Sequence, residues 1–378
     1  MGNDDMWMDV CWNTNNKIFY WSIGRVETTM NKIIQEDLDY IINSDIEWEL
    51  LRNKTVLITG AFGFVASYMT RTLAYLNQKF NMNIRIFSLT RKMIHHPLWL
   101  IPCDGLHPVQ HDVRDPIIDW PSKNSIDYII HAASQATPKV FGTDPVGTLL
   151  PNVVGTYNML ELAKNHKNLK KFLFISTTGV LGFQTENNYP LRETDWGVLD
   201  PTQVANCYLE SKRMGENMCM AYNHQYNIPI QIARLGGCYG PGLKLDDGRV
   251  FADFISNIVK KEDIVVYSDG LAKRDYLYVA DATIAFFKIL LTQKNGKVYN
   301  VSSSTEISII ELAELLACKV FPELGLKVVL KKDSNKDFMR VNFSRSLMDN
   351  SLLKHNLGWK EKIGLVEGFR RTAESYYE

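Results

Sequence analysis

Thr55-Val-Leu-Ile-Thr-Gly60-Ala-Phe-Gly63-Phe-Val-Ala66 decides the fold. Thr55 to Thr59 form a continuous apolar and β-branched run of the kind that suits a strand buried on both faces. Gly60-x-x-Gly63-x-x-Ala66 follows at once and opens a helix-forming segment. Glycines at such a strand-to-helix turn let the backbone approach a pyrophosphate, whose charge then sits at the helix N-terminus. Ala66 stands where a third glycine is common and still permits close helix–strand packing. Gly60, Phe62, Gly63 and Phe64 are therefore candidate contacts to a dinucleotide cofactor.

Moving outward, strands and helices alternate. The pattern predicts helices over 67–77, 152–164 and 208–226, and strands over 84–89, 125–131, 171–176 and 229–233. Apolar strands alternating with helices imply an α/β fold, a Rossmann-type doubly wound parallel sheet. The rhythm changes at the turn-rich Gly236-Gly-Cys-Tyr-Gly-Pro-Gly242. A helix over 249–260 and short strands near 264–267 and 298–301 then suggest a smaller C-terminal α/β lobe for substrate. The expected division is 1–50 as an N-terminal extension, 51–235 as the NAD(P)-binding domain, and 236–378 mainly as that lobe, with some segments returning to the first domain. In the extension, Trp7, Trp12, Phe19, Tyr20 and Trp21 lie among polar residues, and an amphipathic helix is expected over 28–42. These aromatics are expected to pack on the main domain or on a second subunit.

Two further features bear on the cofactor. The second strand ends Ser88-Leu-Thr90-Arg91-Lys92 with two bases and no acid, where a carboxylate would read the 2′-hydroxyl of NAD. That favours a 2′-phosphate and NADP over NAD; the other reading is a solvated turn. Asp112 and Val113 are candidates beside the adenine, and Ala132, Ala133 and Ser134 close the next strand against the cofactor.

Tyr208 and Lys212 are four residues apart and share one helix face, so the ammonium is expected to lower the phenol's pKa. A phenol tuned this way exchanges a proton with a sugar or alcohol hydroxyl. With a glycine turn upstream, the pair implies hydride chemistry on a nicotinamide.

Composition narrows the classes. The 378 residues carry 42 basic and 42 acidic side chains, which leaves no electrostatic case for binding nucleic acid. The six cysteines are scattered without a Cys-x-x-Cys pair, as in a reduced cytoplasmic protein, and no metal site is expected. No apolar run approaches membrane-spanning length.

From about residue 54 onward the chain resembles the extended short-chain dehydrogenase/reductases, the NAD(P)-dependent epimerases and dehydratases of nucleotide sugars. The resemblance rests on Thr59-Gly-Ala-Phe-Gly-Phe64, His131-Ala-Ala-Ser134, Asn152-Val-Val-Gly-Thr-Tyr-Asn158, Tyr208-x-x-x-Lys212, Tyr239-Gly-Pro241 and Arg274-Asp-Tyr-Leu-Tyr-Val-Ala-Asp281. Residues 144–163 and 247–254 look most like the UDP-glucuronate decarboxylase branch. The resemblance implies a Ser/Thr–Tyr–Lys triad. Its hydroxyl falls on Thr177, with Ser176 or Thr178 as the alternatives. Tyr208 would be the acid/base, and Lys212 would hold the nicotinamide ribose. It also implies a homodimer, formed through helices that include 152–164 and the one bearing Tyr208. Arg274, and less directly Arg249, would bind the substrate diphosphate, with Thr178 and Gly237 also on the substrate side.

Departures from the pattern set the function expected. Where dehydratases and decarboxylases of the family carry a Glu after the triad hydroxyl, this chain has Thr178 and Gly179. Glu186 and Glu193 are the only substitutes in view. Gly237 replaces an asparagine that contacts sugar nucleotides, which suggests room for a bulkier or differently seated substrate. The expected activity is a nucleotide-sugar epimerase. An NADPH-dependent 4-ketoreductase, then a decarboxylase or dehydratase, then a non-catalytic dinucleotide-binding protein are the alternatives.

Overall fold

In the computed structural model the described residues are 10–11, 19–21, 30–92, 105–117, 125–184, 189–331 and 343–377. Trp7, Trp12 and Glu186 lie outside them. The chain begins with β1 (Val10–Cys11), β2 (Phe19–Trp21) and α1 (Lys32–Ile42). Then come β3 (Thr55–Thr59), α2 (Phe64–Phe80), β4 (Arg85–Thr90), β5 (Leu106–Gln110) and β6 (Tyr128–His131). Next are α3 (Pro138–Phe141), α4 (Pro145–Lys164), β7 (Lys171–Thr177), α5 (Cys207–Tyr226), β8 (Ile230–Leu235), β9 (Gly237–Tyr239) and α6 (Val250–Lys260). The remainder is β10 (Ile264–Val266), β11 (Lys273–Tyr278), α7 (Val279–Leu291), β12 (Lys297–Val301), β13 (Glu306–Ser308), α8 (Ile309–Leu315), β14 (Val328–Leu330), β15 (Arg345–Ser346), α9 (Ser351–Leu357) and α10 (Leu365–Glu374).

The large sheet has the order β1-β2-β5-β4-β3-β6-β7-β8-β12. From β5 to β12 every pairing is parallel, while β1 and β2 join one edge antiparallel. Strand order runs outward from β3 to β4 and β5 on one side, and from β6 onward on the other. That reversal opens a crevice at the carboxyl ends of β3 and β6, the place where doubly wound sheets bind ligands. All five residues of β3 are buried, as the unbroken apolar run requires. Val56 and Ile58 face a core with α1, α2 and α7, whereas Leu57 faces a second core with α4 and α5.

Two placements bear on the site beyond the sequence reading. Helix α4 runs back through Pro151 to Pro145, where the Asp144 carboxylate caps it by accepting from Gly147 N at 3.0 Å. Strand β12 lies in the large sheet beside β8, so residues 297–301 extend the dinucleotide-type sheet rather than the C-terminal lobe. The lobe itself is built on β11, which is flanked by β9, β13 and β15.

Helix α1 of the N-terminal extension is a fixed part of the body. Leu38 and Ile41 are fully buried. Asp37 accepts from Tyr68 on α2, Tyr278 at the end of β11 and Arg371 on α10, at 2.8 to 2.9 Å. Tyr40 donates to Asp281 of α7 at 2.6 Å. One helix face therefore pins the sheet domain to the lobe. No helix among the described residues is long and apolar enough to cross a membrane.

Candidate active site

The glycine turn sits at the crevice because its backbone can adopt no other shape there. Gly60 has φ +65°, and a Cβ on it would lie 2.8 Å from Ala133 Cα. Glycine is thus required twice, by conformation and by contact. Thr59 Oγ1 accepts from the N–H groups of Ala132 and Ala133 at 3.2 and 3.0 Å, which locks the end of β3 to the end of β6. His131 completes the clamp between Thr59 (2.8 Å) and Thr156 (3.1 Å); burial lowers its pKa to about 3, so it is neutral. Gly63 is the N-cap of α2 and offers no side chain to the first-turn N–H groups. Beside them Ser134 Oγ is buried with no hydrogen-bond partner among the described residues. A bare helix N-terminus, a cradle that a Cβ would fill and an unpaired buried hydroxyl fit a dinucleotide pyrophosphate and its ribose.

Arg91 and Lys92 are exposed at the end of β4. The Asp112 carboxylate is gripped by Arg114, with Nη2 to Oδ2 at 2.7 Å. Arg114 and the nearby Arg91 together hold Asp112 below its usual pKa, although burial alone would raise it. Asp112 is therefore already paired within the protein. Val113 packs on Gly155 of α4, where a Cβ would come within 2.7 Å of its Cγ2.

Three side chains meet at the end of β7. Thr177 is its last residue; its hydroxyl accepts from Gly179 N at 3.4 Å and lies close enough to the Tyr208 phenol to lower its pKa. Tyr208 is partly exposed as a residue, yet burial of its phenol pushes the pKa up to about 12; the Thr177 hydroxyl and the Arg249 charge act the other way. Lys212, expected to lower that phenol, does not. Its Nζ donates to Ile175 O at 2.8 Å and lies 4.8 Å from the centre of the Phe174 ring. Burial brings its own pKa down to about 7. Of the alternative hydroxyls, Ser176 is buried and bonded to Glu216 at 2.5 Å, while Thr178 opens a 3-10 turn. The ring of Tyr208 stacks on Phe141 of α3, with centres 5.0 Å apart and planes at 12°. Phe141 carried no sequence signal, because the contact spans 67 positions and follows from neither helix's spacing.

The substrate side corrects one expectation and sharpens another. A Cβ on Gly237 would lie 2.5 Å from Asp275 O, since β9 runs tightly beside β11. Gly237 leaves no extra room for substrate; the neighbouring backbone fills it. A Cβ on Gly179 would meet Leu209 Cδ2 at 2.2 Å, so an apolar side chain fills the space where the family's acid would begin. Glu193 accepts from Asn300 N at 2.9 Å and is thereby held against β12. Arg249 caps α6 and is paired with Asp247. Arg274 is held by two carbonyls, Lys273 O at 2.8 Å and Phe343 O at 2.7 Å, and makes no ion pair among the described residues.

Comparisons with known proteins give the family and the fold. The model of the NAD dependent epimerase/dehydratase family matches residues 56–302. The chain belongs to that family. It is 30% identical to UDP-glucuronic acid decarboxylase 6 of Arabidopsis thaliana, over 86% of this chain and 89% of the relative. Among solved structures, UDP-glucose 4-epimerase from Thermotoga maritima has a TM-score of 0.73 at 22% identity, covering 85% of this chain and 98% of that one. An epimerase from Methanothermobacter thermautotrophicus reaches 0.75 at 21% identity, covering 92% and 96%. These two likenesses establish the shared fold.

Proposed function

We propose that this enzyme is a nucleotide-sugar epimerase in which Tyr208 takes a proton from a sugar hydroxyl and later returns it. A bound nicotinamide dinucleotide supplies the hydride acceptor and donor. Thr177 hydrogen-bonds the same substrate oxygen and lowers the phenol's pKa. Lys212, fixed by Ile175 O, faces the nicotinamide ribose. Arg274, with no ion-pair partner among the described residues, binds the diphosphate through its guanidinium fork. Arg249 assists from α6, and Thr178 borders the sugar.

The observation that carries epimerisation over decarboxylation or dehydration is Gly179. No acid stands there, and Leu209 occupies the adjoining space. Isomerisation needs only a reversible proton transfer, which Thr177 and Tyr208 can serve, and a reversible hydride transfer, which the bound nicotinamide would supply. The similarity to UDP-glucuronic acid decarboxylases and to UDP-glucose 4-epimerase supports a UDP-sugar as substrate.

A 4-ketoreductase is the second reading, favoured by the exposed Arg91 and Lys92 where a 2′-phosphate would sit. Denaturing the purified protein and identifying the released dinucleotide separates the two. Bound NAD supports a cofactor recycled within each turnover. A site that arrives without dinucleotide and prefers NADPH to NADH supports the ketoreductase.

The proposal includes a homodimer through α4 and α5, which pack on each other and leave Val146, Tyr157 and Met214 about half exposed or more. Tyr157→Glu should yield monomer in light scattering if this face is the interface. A cytoplasmic location is also proposed, on the free thiols of Cys207, Cys219, Cys238 and Cys318.

A further inference from the structure

Glu216 lies one turn beyond Lys212 and two beyond Tyr208, so all three side chains leave one face of α5. Its carboxylate accepts from Ser176 Oγ at 2.5 Å on β7, and from Arg234 on β8, with Nη2 at 2.7 Å and Nε at 3.0 Å. Arg234 is fully buried, and Glu216 is its ion-pair partner. Ser176 directly precedes Thr177. One buried carboxylate thus ties the ends of two central strands to the helix that carries the reacting phenol. We propose that Glu216 is a positioning residue of the reaction: through Ser176 it sets how Thr177 meets Tyr208, and one turn along α5 it supplies a negative charge on the face that carries Lys212. This rests on the reading of Thr177, Tyr208 and Lys212 given above.

The charge balance around Lys212 supports the second half. On α5 the groups acting on it are Cys219 and Glu216; from β6 it faces His131, whose pKa its own charge depresses; from β7, among the described residues, it meets Ile175 O and the Phe174 ring. The Arg234 cation on β8 is paired with Glu216. Burial drives Lys212 toward the neutral amine; Cys219 and then Glu216 act against this, and Glu216 is the carboxylate of the two. Losing a nearby opposite charge moves a pKa by about one unit or more.

The test uses the full-length protein in three variants, with two readouts. The pH midpoint of NADH binding, followed by fluorescence, reports Lys212; kcat and KM on the UDP-sugar that the wild-type protein turns over report Thr177 and Tyr208. Glu216→Gln should lower the binding midpoint by about one unit and cut kcat about 10- to 100-fold, with KM changed less than about threefold. Glu216→Asp should restore the midpoint while leaving kcat low, because the shorter arm cannot hold Ser176. Ser176→Ala should lower kcat about tenfold with the midpoint unchanged. If Glu216→Gln fails to fold, the other two variants decide. Wild-type kcat in both Ser176→Ala and Glu216→Asp, with only thermal stability altered, would overturn the proposal. A wild-type protein that turns over no UDP-sugar sinks the epimerase reading instead, and the NADH-binding midpoints then judge Glu216 alone.

Discussion

The two halves of the site are shaped by different kinds of atom. On the cofactor side, Gly60 is confined by the backbone of Ala132 and Ala133. On the substrate side, Gly179 is confined by the side chain of Leu209. Main-chain walls are fixed by strand pairing and cannot be altered by substitution nearby, whereas a side-chain wall changes with one codon. A family can therefore keep its cofactor cradle while it exchanges chemistries at the sugar. Proteins similar to this chain carry both decarboxylase and epimerase names.

The same contrast governs what was legible in the residues. Thr55–Thr59 and the glycine turn announced the sheet and the cradle, because a buried parallel strand and a positive φ each demand particular residue types. Thr177, Tyr208 and Lys212 were found by pattern, and the structure brings them to one strand end. The pattern misjudged the electrostatics. Helical spacing places Lys212 on the face of Tyr208, but not which oxygen it takes, and Ile175 O takes it. Gly237 misled for a related reason. A missing side chain reads as space, while the β9–β11 pairing had already closed that space with Asp275 O. Glu216 and Phe141 were invisible, since their partners lie 18 to 67 positions away.

Substitutions can break or sharpen this contrast. The largest effect should come from the residue both halves share: Tyr208→Phe should cut turnover by about 10²–10⁴ while dinucleotide binding and melting temperature hold. Loss of cofactor binding instead would show that Tyr208 belongs to the cradle.

Asp275 comes next. Burial pushes its pKa up to about 7 from the ordinary 3.8. Between those values the folded state keeps a proton that the unfolded state has shed, so stability should fall as pH rises through that window. Asp275→Asn should remove this slope and stabilise the fold by up to about 4 kcal/mol at pH 7, as urea titrations across pH would measure.

Gly60→Ala should cost about 2–4 kcal/mol, from the left-handed φ and the clash with Ala133, and no neighbouring truncation should rescue it. Gly179→Ala should cost about 1–3 kcal/mol and be rescuable. Combined with Leu209→Ala, it should show a favourable coupling of about 1–3 kcal/mol in a double-mutant cycle. Equal rescue at both glycines would erase the distinction drawn here. The smallest effect is expected from the exposed Arg91: Arg91→Ala should change the ratio of NADPH to NADH affinity by about tenfold or less, as fluorescence titration would show.

The most direct test of the proposed chemistry is to incubate the purified protein with UDP-glucose and UDP-glucuronic acid and analyse the products by mass spectrometry coupled to chromatography. Epimerisation predicts a new isomer of unchanged mass from one of them, without net reduction of the dinucleotide and absent in Tyr208→Phe. A product that has lost carbon dioxide or water would contradict it, and would mean that an acid other than one at position 179 serves this site.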